Sequence, residues 1–159
     1  MEPKTVPAPK VVQLTAHELA QMDQRIAVGV FGFRWYRFPA QRAIEGQRPK
    51  VAAFSSLQKP AKWLERHEAK PIDCPVPGDE LDIDIPPYHK DEDFVVELSA
   101  ACVARYPEHP LALSQCLDGG YCYGDIQKEH YPTIPMALCA YTIRLFKLES
   151  LRTYHNPQP

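Results

Sequence analysis

The sequence predicts an α+β fold, in which a small, largely antiparallel sheet is packed by helices as an α/β/α-type sandwich. Three observations predict it. Residues 111–148 hold two short alternating segments around Asp118-Gly119-Gly120, followed by a strongly apolar helical stretch. A capped helix near the N-terminus runs into the aromatic segment Phe31-Gly-Phe-Arg-Trp-Tyr-Arg-Phe38. A helical pattern opened by acidic residues lies between Pro87 and Pro107. Amphipathic helices mixed with short strands make one layered core, and 159 residues suit one domain.

Residues 1–14 read as a disordered lead-in. Thr15-Ala-His-Glu18 is a capping-box pattern, and Leu19, Met22, Ile26 and Val30 follow at helical spacing, which predicts a first helix over residues 16–28. The aromatic segment ending at Pro39 is a strand. Phe33, Trp35 and Arg37 share one face and Arg34, Tyr36 and Phe38 the other, so bulk on both faces predicts a central, covered strand. Residues 40–80 are proline-rich and expected to be an irregular insertion. Within it, residues 51–54 are a second strand, residues 60–69 a short helix and residues 70–77 a linker. Residues 79–85 alternate and fit an edge strand with one wet face.

Asp91, Glu92 and Asp93 open the next helix, as the helix dipole favours. Phe94, Leu98, Ala101 and Arg105 lie in register, with Val95, Cys102 and Val103 alongside. Tyr106-Pro107 ends it, because a residue before proline disfavours the helical region. In the hairpin, Leu111, Leu113, Gln115 and Leu117 share one parity and are expected to form the apolar face. A three-residue loop of Asp118 to Gly120 sets Cys116 opposite Cys122, whereas a two-residue loop shifts the pairing by one. Thr133 caps the last helix and Pro135 sits in its first turn. Its apolar stripe is wide enough to lie flat on a sheet. The domain closes near residue 149, and residues 150–159 form a tail.

The formal charge of -2 argues against a general nucleic-acid binder. No apolar run is long enough to span a bilayer, and no signal peptide is visible. Five cysteines without a C-x-x-C pair read as free thiols in a reducing cytosol, with Cys74 the most exposed. Neither C-x2-C nor H-x3-H spacing occurs, so no metal site and no cofactor are expected. Asp82, Asp84, Asp91 and Asp93 match no cation-binding loop and read as a wet edge plus a dipole-favoured cluster.

The chain resembles the phage ABA-sandwich domain proteins, small proteins of phages and prophages, over residues 19–148. The resemblance rests on Met22-Asp-Gln-Arg-Ile-Ala-Val-Gly-Val-Phe-Gly-Phe-Arg-Trp35, a helix running into an aromatic strand. It rests also on Pro86-Pro87-Tyr88 before an acid-opened helix, and on Pro135-Met-Ala-Leu-Cys-Ala140. The proline-rich middle departs from the family's pattern. The resemblance implies a sheet packed by helices and a setting in the bacterial cytoplasm. It supplies no reaction and no catalytic residues.

Three groups of side chains are candidates for recognition. Arg34 and Arg37, interleaved with Trp35 and Tyr36, can pair with phosphate and stack on a base. Against this stands packing, with the aromatics in the core and the arginine heads in water. Tyr121, Tyr123, His130 and Tyr131 can line a pocket at the sheet edge, or simply pack with wet hydroxyls. Trp63, Leu64 and His67 form either an exposed apolar patch for a partner or a helix folded back on the domain.

The expected function is a phage-encoded, non-enzymatic binding protein that counters a host defence. It would sequester a small nucleotide signal through Arg34, Arg37, Tyr88, Tyr121, Tyr123 and His130. A homo-oligomer is expected with it, because small folds often build pockets between subunits. One alternative is an inhibitor or adaptor that binds a host protein through the helix of Trp63, Leu64 and His67 and the acidic edge from Asp79 to Asp93. Another is an enzyme with an unfamiliar site, using His130 or a tyrosine as general acid.

Overall fold

The computed structural model describes residues 11–39, 50–54, 60–76, 80–82, 85–124 and 129–154. The expected lead-in up to residue 10, residues 40–49 of the expected irregular insertion, Asp84 of the expected edge strand and the last five residues lie outside these. Among the described residues no helix is long and apolar enough to cross a membrane.

The fold is α+β. Helix α1 (Ala16–Gly29) opens on the predicted capping box: Thr15 Oγ1 accepts from the Glu18 amide at 3.1 Å, and Glu18 Oε1 accepts from the Thr15 amide at 3.3 Å. Such a cap stabilises a helix by about 1 kcal/mol. The inward face of α1 buries Met22, Ile26 and Ala27, and with them the polar Asp23 and Gln24. Each buried polar group has a distant partner. Gln24 Oε1 accepts from the Tyr154 amide at 2.7 Å. Asp23 accepts from the His89 amide at 3.0 Å and from His89 Nδ1 at 2.6 Å. Leaving such a group unpaired would cost about 1–3 kcal/mol, so these bonds hold both segments on α1. The tail expected after residue 149 is therefore docked as far as Tyr154, which is buried.

Strand β1 (Arg34–Phe38) is central, as predicted, in a four-stranded sheet of order β3-β1-β2-β4. Its neighbours β2 (Lys50–Phe54) and β3 (Lys70–Ile72) run antiparallel to it, and β4 (Glu80–Asp82) is parallel to β2. Trp35, only 3% exposed, ties this sheet to the core together with Phe33 and Ile72. Strand β3 falls where a linker was expected. Pro71 has no N–H to give a ladder, but β3 is an edge strand, which needs no donor on its outer side and tolerates proline. Between β2 and β3 lies α2 (Ala61–Arg66), preceded by Pro60.

Helix α3 (Asp93–Arg105) buries Leu98 and Cys102. Asp91 Oδ1 accepts from the Asp93 amide at 3.0 Å, so that acid serves the start of the helix. Val103, placed inward by its spacing, is 52% exposed. A second sheet follows, formed by β5 (Leu113–Gln115) and β6 (Tyr121–Tyr123). The strands thus divide into two sheets where one was expected. The predicted apolar face of β5 is only partly covered: Leu113, opposite Tyr123 in the register, is 44% exposed, and Leu117 lies fully in solvent. Leu117 belongs to the turn, and the core side of this ribbon comes from Tyr123 with Tyr121 packed beside it.

Helix α4 (Ile134–Leu145) is the axis of the core. Thr133 caps it by accepting from the Met136 amide at 3.3 Å. Eight of its 12 residues are buried, because it packs against α1, α3 and β6 at once. That arrangement explains the width of its apolar stripe better than a helix flat on one sheet. Thr142, buried within this helix, has its hydroxyl satisfied by donating to the Leu138 carbonyl at 2.7 Å.

Candidate functional site

Two places gather chemically capable side chains, one on each sheet. The first is the β5–β6 hairpin. Its loop has three residues, Leu117 to Gly119, closed by Cys116 and Gly120. The Cys116 amide donates to the Gly120 carbonyl at 2.8 Å, and the Gly119 amide to the Cys116 carbonyl at 3.0 Å. Gly119 takes φ +86°, the left-handed position that completes such a loop. The register is therefore Ser114↔Cys122, two residues away from the Cys116↔Cys122 pairing that a loop of Asp118 to Gly120 would set. Cys116 becomes the diagonal neighbour of Cys122, and their sulfurs still lie 3.8 Å apart.

Asp118 organises the turn. Its Oδ1 accepts from the Gly120 amide at 2.9 Å, and its Oδ2 from His130 Nδ1 at 2.8 Å. These donors hold the Asp118 carboxyl below its ordinary value of 3.8, the Gly120 amide first and His130 second. His130 is 5% exposed and fixed by its backbone. Residues 130–131 run between β6 and the N-terminal segment: Tyr131 exchanges both backbone bonds with Tyr121, at 2.7 and 2.8 Å, and the Val12 amide donates to the His130 carbonyl at 2.7 Å. Val11 and Val12, expected in the lead-in, are thus part of the fold. Gly120 makes the close approach possible. A Cβ there would meet His130 Cβ at 2.8 Å and Val11 Cγ2 at 3.0 Å. Among the described residues, Cys116, Cys122 and His130 form a group whose ligand atoms all lie within 4.8 Å of one another.

The second place is a groove of about 550 Å³ between α2, β1 and β3. Arg37 and Lys70 are cross-strand partners there, and Phe38, Glu65 and Glu68 complete the lining. Like charges directly opposite on a sheet repel, so this pairing favours carboxylates or a bound anion nearby. Trp63 stands behind the groove, edge-on to Phe38 at 6.0 Å and stacked on His67 at 4.1 Å. Helix α2 therefore folds back onto β1, with Trp63 and Leu64 half-buried and His67 exposed. Glu68 reaches the groove from an unusual backbone, φ +56°. The Glu68 amide donates to the Glu65 carbonyl at 3.0 Å and the Ala69 amide to the Leu64 carbonyl at 2.9 Å. That is the bonding of a helix end that normally carries glycine.

The sequence-predicted ligand residues do not converge on one pocket. Arg37 lines the groove, and Arg34 is exposed three residues earlier on the same strand. Tyr121 and His130 belong to the hairpin site. Tyr88 is a core residue, stacked on Phe31 at 5.3 Å, and burial pushes its hydroxyl well above the ordinary range. Tyr123 is buried facing Tyr141. Tyr131 donates to Glu129, and burial with that carboxylate pushes its hydroxyl up to about 12. Cys74, expected to be exposed, is buried. Sequence reasoning missed Asp118 as the hairpin's organiser and Glu65, Glu68 and Lys70 as lining. The Asp-Gly-Gly turn with cysteines on both sides was the signal for the first. Glu68 and Lys70 stood in a stretch without periodicity and gave none.

Comparison of the chain with protein-family models, curated proteins and solved structures finds no match.

Proposed function

We propose that the chain is a binding protein that holds a small nucleotide in the groove between α2, β1 and β3. The observation that carries this reading is the cross-strand pairing of Arg37 with Lys70 inside a groove shared with Glu65, Glu68 and Phe38. Two adjacent cations suit a phosphate. Carboxylates accept from ribose hydroxyls and base amines, and an aromatic ring offers a stacking face. A volume of about 550 Å³ falls within the usual range for small-ligand sites, about 300–1,000 Å³. Glu68 supports the reading by adding its side chain to the same groove. In the phage setting implied by the ABA-sandwich resemblance, such a protein would act by sequestering a host signal, with copies of the chain assembled as a homo-oligomer.

Calorimetry against a panel of linear and cyclic nucleotides tests the reading. Binding by the intact chain is expected, with loss in Arg37→Ala and Lys70→Ala. Flat traces across the panel end it. Recovery of the bound nucleotide unaltered from denatured protein separates sequestration from turnover.

A further inference from the structure

Independently of the groove, we infer that the hairpin is a zinc(II) site with Cys116, Cys122 and His130 as ligands and Asp118 as the carboxylate that orients the histidine. Two thiolates with an imidazole are the donor set that selects a zinc-class ion over magnesium or calcium.

The geometry agrees. Zinc–sulfur bonds of about 2.3 Å in a tetrahedron place two sulfurs about 3.8 Å apart, and these sulfurs stand at 3.8 Å. All three ligand atoms lie within 4.8 Å of one another, so closing them onto one ion asks for shifts on the order of 1 Å. The cysteines are diagonal rather than directly paired, because Cys116 closes the loop with Gly120 while Cys122 lies two residues further along β6. Diagonal neighbours typically sit about 7–8 Å apart, wider than the Cα separation of about 4.4–6.8 Å that a disulfide spans. An ion bridges that distance more readily than a sulfur–sulfur bond.

The supporting contacts are those a metal-bound histidine needs. A ligating histidine almost always gives its other ring N–H to a carboxylate or carbonyl, which fixes its tautomer and aim. Here Nδ1 donates to Asp118 Oδ2 at 2.8 Å, so Nε2 is the atom that would take the ion. Asp118 is itself held by the Gly120 amide. His130 is fixed by backbone pairing on two sides, to the Val11–Val12 segment and, through Tyr131, to β6. The spacing C-x5-C-x7-H spans a turn and a return strand, which explains why it matches none of the familiar short motifs.

The test uses the intact chain, reduced with a phosphine and stripped by chelation, then titrated with cobalt(II) as a spectroscopic substitute and with zinc(II) in competition. The expected result is one cobalt per chain, a near-ultraviolet thiolate-to-cobalt band, and displacement by zinc. Cys116 is half-exposed, so Cys116→Ser is the variant that should fold. It is expected to weaken the band and the affinity, while His109→Gln, at an exposed histidine in a separate loop, leaves both intact. Asp118→Asn keeps all three ligands and should weaken binding about 10–100-fold. A reduced, folded chain that shows no thiolate band, or a band that Cys116→Ser leaves unchanged, overturns the assignment.

Discussion

Replacing Glu68 by glycine should make the protein more stable and its groove worse at binding. Glu68 is exposed and holds φ +56° after the last turn of α2. A left-handed backbone costs an L-residue roughly 1–2 kcal/mol. Glycine escapes that cost but loses about 0.5–1 kcal/mol through the greater freedom of its unfolded chain. The difference leaves a gain on the order of 0.5–1 kcal/mol, or about 1–4 °C in Tm for a chain of this size. Lys147, at φ +58° after α4, is an internal control. Its amide donates to the Arg144 carbonyl at 3.2 Å and the Leu148 amide to the Ile143 carbonyl at 2.8 Å, the same bonding pattern as at Glu68. Lys147→Gly should therefore raise Tm by a similar amount and leave the groove untouched. Thermal denaturation followed by circular dichroism reads the first effect and nucleotide calorimetry the second. If Glu68→Gly stabilises but binds as tightly as the parent, the side chain has no part in the site. If neither glycine variant stabilises, the strain argument itself is refuted.

Three further outcomes follow from the fold. Gly120→Ala should loosen the hairpin, because the new methyl meets His130 and Val11 at 3.0 Å or less; faster hydrogen exchange at the Val12 and Tyr131 amides reports it. Leu138→Ala removes a fully buried side chain from α4 and should cost about 2–5 kcal/mol in urea unfolding. Burial holds the Asp23 carboxyl above its ordinary value of 3.8, against the opposing pull of His89 and Lys90. A folded pKa raised above the unfolded one contributes stability that is full below 3.8 and is lost as pH rises through the folded value. Parent stability relative to Asp23→Asn should therefore fall across that window, and a rise instead would mean that pairing with His89 outweighs desolvation.

Local signals carried most of the elements. The Thr15–Glu18 box, the Thr133 cap with Pro135 and the aromatic run into Pro39 each act over a few residues, and each appears where the pattern placed it. What could not be read depends on tertiary pairing. Lys70–Ile72 is a strand only because β1 offers it an edge. Leu113 and Leu117 look inward by parity, yet the turn opens at Leu117 and leaves it in solvent, and Leu113 stays 44% exposed although it stands opposite Tyr123. Asp23 sits among the apolar positions of α1 and reads as a defect in the stripe until His89, 66 residues later, supplies its donors. The hairpin cluster was half legible: the two cysteines flank an evident turn, but His130 joins them only through pairing on both of its sides.

The two candidate sites sit on separate sheets, and this bears on how their ligands should act together. An ion on Cys116, Cys122 and His130 would brace the hairpin, residues 130–131 and the N-terminal segment, because those elements share its backbone bonds. A nucleotide at Arg37 and Lys70 would brace α2 and β3 against β1. Ligands that bind only the folded chain stabilise it in proportion to the logarithm of their concentration over Kd. Contributions from sites without shared partners add to within about 0.3–0.5 kcal/mol. The structure links the two sheets through Trp35 and the packed core, with no shared side chain between the groove lining and the hairpin ligands. Zinc(II) and nucleotide added together should therefore raise unfolding free energy by the sum of their separate effects. A clear excess or deficit in that sum would mean that the core passes strain from one sheet to the other, and that the two sites work as one device.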